Sequence, residues 1–158
     1  MAGVAHRAGV AIRTVYLHAP TKRELVEGAL RRRAQALTRR VERWRPPLAA
    51  AGVVLDDLVA LHERTYRAER QLLEILVDSG APSGGDVLRG LDRVRLTLIE
   101  RAVAELARIG ALRLRAEDAT SLAHAMLAYP TWRAALTGPA RRRAPRLIGD
   151  ALRATLLR

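Results

Sequence analysis

The sequence predicts an all-α protein, and three observations predict it. Apolar positions recur with helical spacing while strand-like alternation is almost absent; Ala, Leu and Arg dominate a chain with no Phe and 3% aromatic residues; and Gly- and Pro-containing breakers cut it into helix-length segments. Ala, Leu and Arg lose little rotamer freedom in a helix, so the composition favours that state before any segment is placed. At 158 residues the chain can bury one sizeable core, or a small unit docked on a larger one.

Taken in order, the segments read as about eight helices. A short one over 2–7 ends at Ala8-Gly9-Val10, and a second over 12–18 ends at Ala19-Pro20. Thr21 with Glu24 three residues later makes a capping box that opens a long helix to about Trp44, where Pro46-Pro47 stops it. Its apolar stripe is Val26, Leu30, Leu37, Val41 and Trp44, with most of its arginines off the stripe. A helix over 55–70 follows, with His62 and Tyr66 four apart on one line, and residues 71–77 extend or restart it. Asp78 to Gly85 reads as the clearest internal loop. The next helix, 86–109, carries Leu91, Val94, Leu98, Ala102, Leu106 and Ile109, and Gly110 terminates it. Residues 117–136 read as helix interrupted after Tyr129 by Pro130, and Gly138-Pro139 ends the segment. Pro145 suits the first turn of a last helix whose one face holds Leu147, Ile148, Ala151, Leu152, Thr155 and Leu156.

Charge is unevenly spread. Residues 1–47 hold 11 Lys+Arg against 3 Asp+Glu and residues 48–158 hold 17 against 13, so two thirds of the net +12 sits in the first third of the chain. Such concentration is the footprint expected where phosphates are neutralised. The absence of Cys removes disulfides, thiolate zinc sites and thiol nucleophiles. With no leader-like apolar run and no uncharged stretch approaching ~18 residues, a cytoplasmic protein with no membrane partner is expected.

Residues 4–30, VAHRAGVAIRTVYLHAPTKRELVEGAL, carry a denser signal. Val4-Ala5, Ala8-Gly9-Val10, Thr14-Val15-Tyr16, His18, Lys22 and Leu25 stand at the spacing of the TetR-family helix-turn-helix and the start of the helix after it, and the segment resembles that family. Each matched residue has a physical reason to be there. Gly9 permits a left-handed turn between steeply crossed helices, Ala5 and Ala8 allow close approach, and Val10 and Val15 plug the core between them. Arg13 offers the donor fork that fits guanine O6/N7, and Thr14, Tyr16 and His18 suit phosphate oxygens. Lys22 adds charge at a helix start that already favours anions. The resemblance makes Arg13, Thr14, Tyr16, His18 and Lys22 the DNA-contacting positions. The tandem AGVAHR/AGVAIR over 2–13 spans two segments with different structural duties and is read as coincidence.

Three departures from the family pattern stand out. The helix that precedes this motif in the family has no counterpart, so the chain is read as N-terminally truncated or its start as misassigned. Ala11 replaces the usual capping Ser, and Ala19 a large aromatic.

Beyond Leu55 only the order and spacing of the helices resemble the family. The resemblance divides the chain into a DNA-binding helix-turn-helix region with its connecting helix, 1–44, and a helical-bundle ligand-binding and dimerisation domain, 48–158. It implies a sequence-specific regulator, a repressor released from a double-stranded DNA operator by a small-molecule effector and acting as a homodimer. His62, Tyr66, His124, Met126, Tyr129 and Trp132 combine apolar bulk with polar tips and are the expected ligand-pocket residues. Leu122, Leu147, Ile148, Ala151, Leu152 and Thr155 are the expected dimer surface. No cofactor or metal is implied. The alternative is a helical ligand-binding or structural dimer that no longer binds DNA well.

An enzyme is not expected. The histidines at 6, 18, 62 and 124 lack metal-ligand spacing, the adjacent carboxylates Asp56-Asp57 and Glu117-Asp118 diverge on a helix, and the glycine-rich stretch over 79–85 lacks the Lys of a phosphate-binding loop.

Overall fold

A computed structural model describes residues 1–78 and 82–158 of the chain, with only the backbone described for residues 82–84. Among the described residues the structure is all-helical: α1 (Ala2–Ala8), α2 (Ile12–His18), α3 (Lys22–Val41), α4 (Ala51–Ala68), α5 (Arg70–Asp78), α6 (Pro82–Arg108), α7 (Ala116–Met126), α8 (Tyr129–Thr137) and α9 (Ala144–Leu156). An isolated antiparallel bridge between Leu112 and Leu157 ties the end of α9 to the turn after α6.

Helix α6 is the axis of the molecule. Helices α3, α4, α5 and α7 pack against it, and α9 lies on the far side of α4 and touches α7 and α8. Its buried residues Leu98, Ile99, Ala102, Val103 and Leu106 sit three and four apart, so they form one stripe that meets Val54, Leu55 and Leu58 of α4 in the core. The stripe turns over the last half of α6 only, because Leu91 and Val94 in its first half are partly open. That opening borders the cavity described below.

Several boundaries differ from the sequence reading for local reasons. Helix α3 stops at Val41, three residues before Trp44. The carbonyls of Glu42 and Trp44 accept from Arg101 at 2.8 and 3.2 Å, and Arg45 donates to both as well, so side chains satisfy the orphan acceptors that further helix would have paired. Trp44 packs on the core from outside the helix and donates to Asp57 at 2.6 Å. The expected loop of 78–85 is helical at both ends: Asp78 closes α5 and residues 82–85 open α6, while residues 79–81 lie outside the described residues. The interruption near Pro130 falls at Leu127–Ala128, and Pro130 occupies the first turn of α8, where its missing N–H costs nothing. Gly9 and Gly110 do adopt left-handed backbone, with φ of 66° and 68°. Thr21 caps α3 by accepting from the Glu24 amide at 3.1 Å.

A buried acid pins α3 to the junction of α4 and α5. Glu69 is 3% exposed and takes Arg33 Nε at 2.8 Å and the Arg40 guanidinium at 3.3 Å. Both arginines remain more than half exposed, so the pair is desolvated mainly on the carboxylate side.

Candidate functional site

Two regions gather the residues singled out by sequence. The first is the surface of α1 and α2. Gly9 ends α1 in a left-handed turn, and the amides of Gly9 and Val10 bond back to His6 O at 3.2 Å and Ala5 O at 3.1 Å. The two seven-residue helices pack on one another, burying Ala5, Val15 and Ala19. Ala19 is 4% exposed, so the position where the resemblance led us to expect a large aromatic is covered without one. Ala11 precedes α2 with no side-chain cap.

With Val15 turned inward, its helical neighbours face solvent. Arg13, Tyr16, His18 and Lys22 are exposed and Thr14 is half-buried. Among the described residues none forms a side-chain hydrogen bond or ion pair with any of these five, whereas arginines along the rest of the chain are repeatedly engaged by Glu69, Glu74, Glu105, Asp92 and Asp150. No acidic residue occurs before Glu24, so the cations of α1 and α2 have no counter-ion on their own elements, while Lys22 shares the first turn of α3 with Glu24. The surface also shows Val10, Ile12 and Leu17, at 42, 46 and 75% exposure.

The second region is a cavity of about 350 Å³ bounded by α3, α4, α5, the first half of α6, and Tyr129 and Pro130 of α8. Of the six expected pocket residues, His62, Tyr66 and Tyr129 line it and His124, Met126 and Trp132 do not. Trp132 is fully buried behind Tyr66, its ring edge-on at 5.8 Å, and Met126 is partly buried against the core. His124 lies on the outer side of Arg95, with which it shares a 2.8 Å hydrogen bond.

Sequence reading overlooked the wall that α3 and α6 contribute. Leu37 and Val41 of α3 and Leu91, Asp92, Val94, Arg95 and Leu98 of α6 line the cavity. Arg95 was legible in principle: it falls four residues after Leu91 and three before Leu98, a cation inside an apolar stripe. Its side chain is 14% exposed, its terminal nitrogen bonds Asp92 at 2.5 Å, and its Nε is buried with no protein partner. His62, which also lines the cavity, is 4% exposed and its Nδ1 lies 2.8 Å from Leu58 O, a contact that fixes Nδ1 as the donor. Burial, opposed by that hydrogen bond and reinforced by the nearby Arg95 charge, pushes its pKa down to about 4, so the ring is neutral near pH 7 and Nε2 is an acceptor. Tyr66 donates to Leu127 O at 2.7 Å, and burial raises its pKa.

The expected dimer surface divides. Leu122, Leu147 and Ala151 are exposed and Thr155 is half-buried, but Ile148 is 8% and Leu152 0% exposed, taken up by the chain's own core where α9 meets α4. Two turns of an amphipathic helix cannot give the same side chains to both partners. Among the described residues no group of three or more acidic or histidine side chains could hold a metal ion, and no helix is long and apolar enough to cross a membrane. No family model, curated protein or solved structure matches the chain.

Proposed function

We propose that the chain is a sequence-specific DNA-binding regulator of the TetR type, in which α1 and α2 form the helix-turn-helix and the α3–α6 cavity receives a small-molecule effector. The observation that carries this reading is the α1–α2 unit: a left-handed Gly9 between two short packed helices, Val15 inward, and Arg13, Tyr16, His18 and Lys22 outward without protein partners. A guanidinium left unpaired on a helix of this size is free to reach a base edge, and the bare cations around it suit phosphates.

The cavity gives the reading its regulatory half. Helix α3 contributes Leu37 and Val41 to the cavity wall and begins at Lys22, directly after α2, so one rigid element touches both sites. An effector that favours a different seat for α3 would shift α1–α2, and DNA binding would in turn weaken effector binding by the same factor. A homodimer through exposed Leu122, Leu147 and Ala151, on the neighbouring helices α7 and α9, would present two α2 helices to a palindrome with half-sites ~34–36 Å apart.

The test is selection of bound sequences from a random DNA duplex pool, followed by titration at two salt concentrations. An inverted repeat should be enriched, and Arg13→Ala should relax the preference at one base pair per half-site by ~1–3 kcal/mol while Lys22→Ala weakens all sequences alike. Enrichment of no motif, with Arg13→Ala indistinguishable from the parent, would leave the helical ligand-binding dimer as the better description.

A further inference from the structure

Two side chains that line the cavity each hold a polar atom that the protein does not satisfy, and the two atoms are opposite in kind. Arg95 Nε–H is a buried donor with no partner, and His62 Nε2 is an acceptor with none among the described residues, because Nδ1 is committed to Leu58 O. Tyr66 spends its one proton on Leu127 O and so cannot donate to His62, and although its oxygen interacts with the Arg95 guanidinium, the Nε–H of Arg95 stays unpaired. Around them the lining is chiefly leucine and valine. A buried donor left unpaired is costly, so the cavity favours an occupant able to accept from Arg95 and, from the same group, donate to His62.

Charge narrows the class further. The Arg95 guanidinium is already neutralised by Asp92 at 2.5 Å and also engages His124 at 2.8 Å, and Arg89, at the cavity edge, pairs with Asp86. An anionic ligand on the free Nε–H would place a second negative charge beside the Asp92 carboxylate that already balances Arg95, and would find only the acceptor face of His62. Burial of a net charge in such a lining is unfavourable. A group that both donates and accepts while staying neutral satisfies both atoms at once.

We propose that the cavity binds an uncharged, mostly apolar molecule carrying one hydroxyl-type group, which donates to His62 Nε2 and accepts from Arg95 Nε–H. The proposal deepens the effector-cavity reading above, yet it is measured without DNA, so its failure and the failure of DNA recognition are separate results.

Calorimetric titration of the full chain near neutral pH with 4-propylphenol, propylbenzene and 4-propylbenzoate tests it. The phenol should bind roughly tenfold more tightly than propylbenzene, the gain of a paired polar group, and the benzoate no better than propylbenzene. Arg95→Met and His62→Leu should each bring the phenol down to the level of propylbenzene while leaving propylbenzene binding as it was, and retention of propylbenzene binding reports that the variant cavity is folded. Equal binding of phenol and propylbenzene by the parent chain would mean water or nothing satisfies the pair and would overturn the proposal. So would tightest binding by the benzoate, which would make Arg95 a counter-ion, or binding of none of the three.

Discussion

The buried histidine ties the stability of the fold to pH in a way that can be worked from its surroundings. His62 is 4% exposed and its pKa is pushed from 6.5 to about 4, chiefly by burial and further by the Arg95 charge, against the opposing hydrogen bond to Leu58 O. Between those two values the unfolded chain binds a proton that the folded chain refuses, so unfolding free energy rises with pH through the window and falls as acid is added. Each unit of displacement is worth about 1.4 kcal/mol, so the full penalty is roughly 3 kcal/mol, complete below pH 4, with about 2 kcal/mol already lost near pH 5. Above about pH 7 the contribution is flat. Urea denaturation followed by far-ultraviolet circular dichroism, run across this range on the parent and on His62→Leu, isolates the effect. Leucine removes the titrating ring, and Leu58 O keeps its helical N–H partner. Carboxylate titrations are common to both chains and cancel in the difference. The parent should lose about 2 kcal/mol relative to His62→Leu between pH 7 and 5. A difference that stays constant across that interval would show that the ring is solvated or rearranges, and the neutral acceptor assigned to Nε2 would fall with it.

Two further perturbations probe the turn between α1 and α2 and the segment that follows α3. Gly9→Ala should cost about 1 kcal/mol, from backbone alone, since φ is 66° and an added Cβ meets nothing within 4 Å; amide exchange should show faster opening of α1 and α2 with α4 and α6 unchanged, and Gly9→Asn should be milder, the reverse order refuting the backbone argument. Trp44→Phe removes the 2.6 Å hydrogen bond to Asp57 and should lower stability by about 1 kcal/mol, whereas in an Asp57→Asn background the same change should cost less; full additivity in that double-mutant cycle would mean the bond contributes nothing.

What was legible in the sequence, and what was not, follows from the range of the forces involved. Helix starts and stops set by local chemistry read correctly: Thr21 caps α3, Gly9 and Gly110 take left-handed backbone, and Pro145 opens α9 in its first turn. Boundaries set by distant partners did not. Helix α3 ends early because Arg101, 57 and 59 residues away along the chain, supplies donors to Trp44 O and Glu42 O, and no local pattern encodes that contact.

The same distinction governs the two sites. The α1–α2 surface depends on residues within one short stretch, so its spacing alone marks which side chains face out. The cavity depends on how α3, α4 and α6 diverge, which periodicity cannot give, and so three of the six residues chosen for bulk and polarity lie elsewhere. Apolar size was a poor guide there: Trp132, the largest of them, is fully buried because it completes the core behind Tyr66. The better signal was a polar residue at an apolar position. His62 follows Leu58 by four on α4, and Arg95 follows Leu91 by four on α6, each interrupting a stripe that burial would otherwise keep hydrocarbon. A chain bears the desolvation of such groups where something meets them, as Asp92 meets one edge of Arg95. The edges left unmet, Nε of Arg95 and Nε2 of His62, are where an occupant of the cavity would bond.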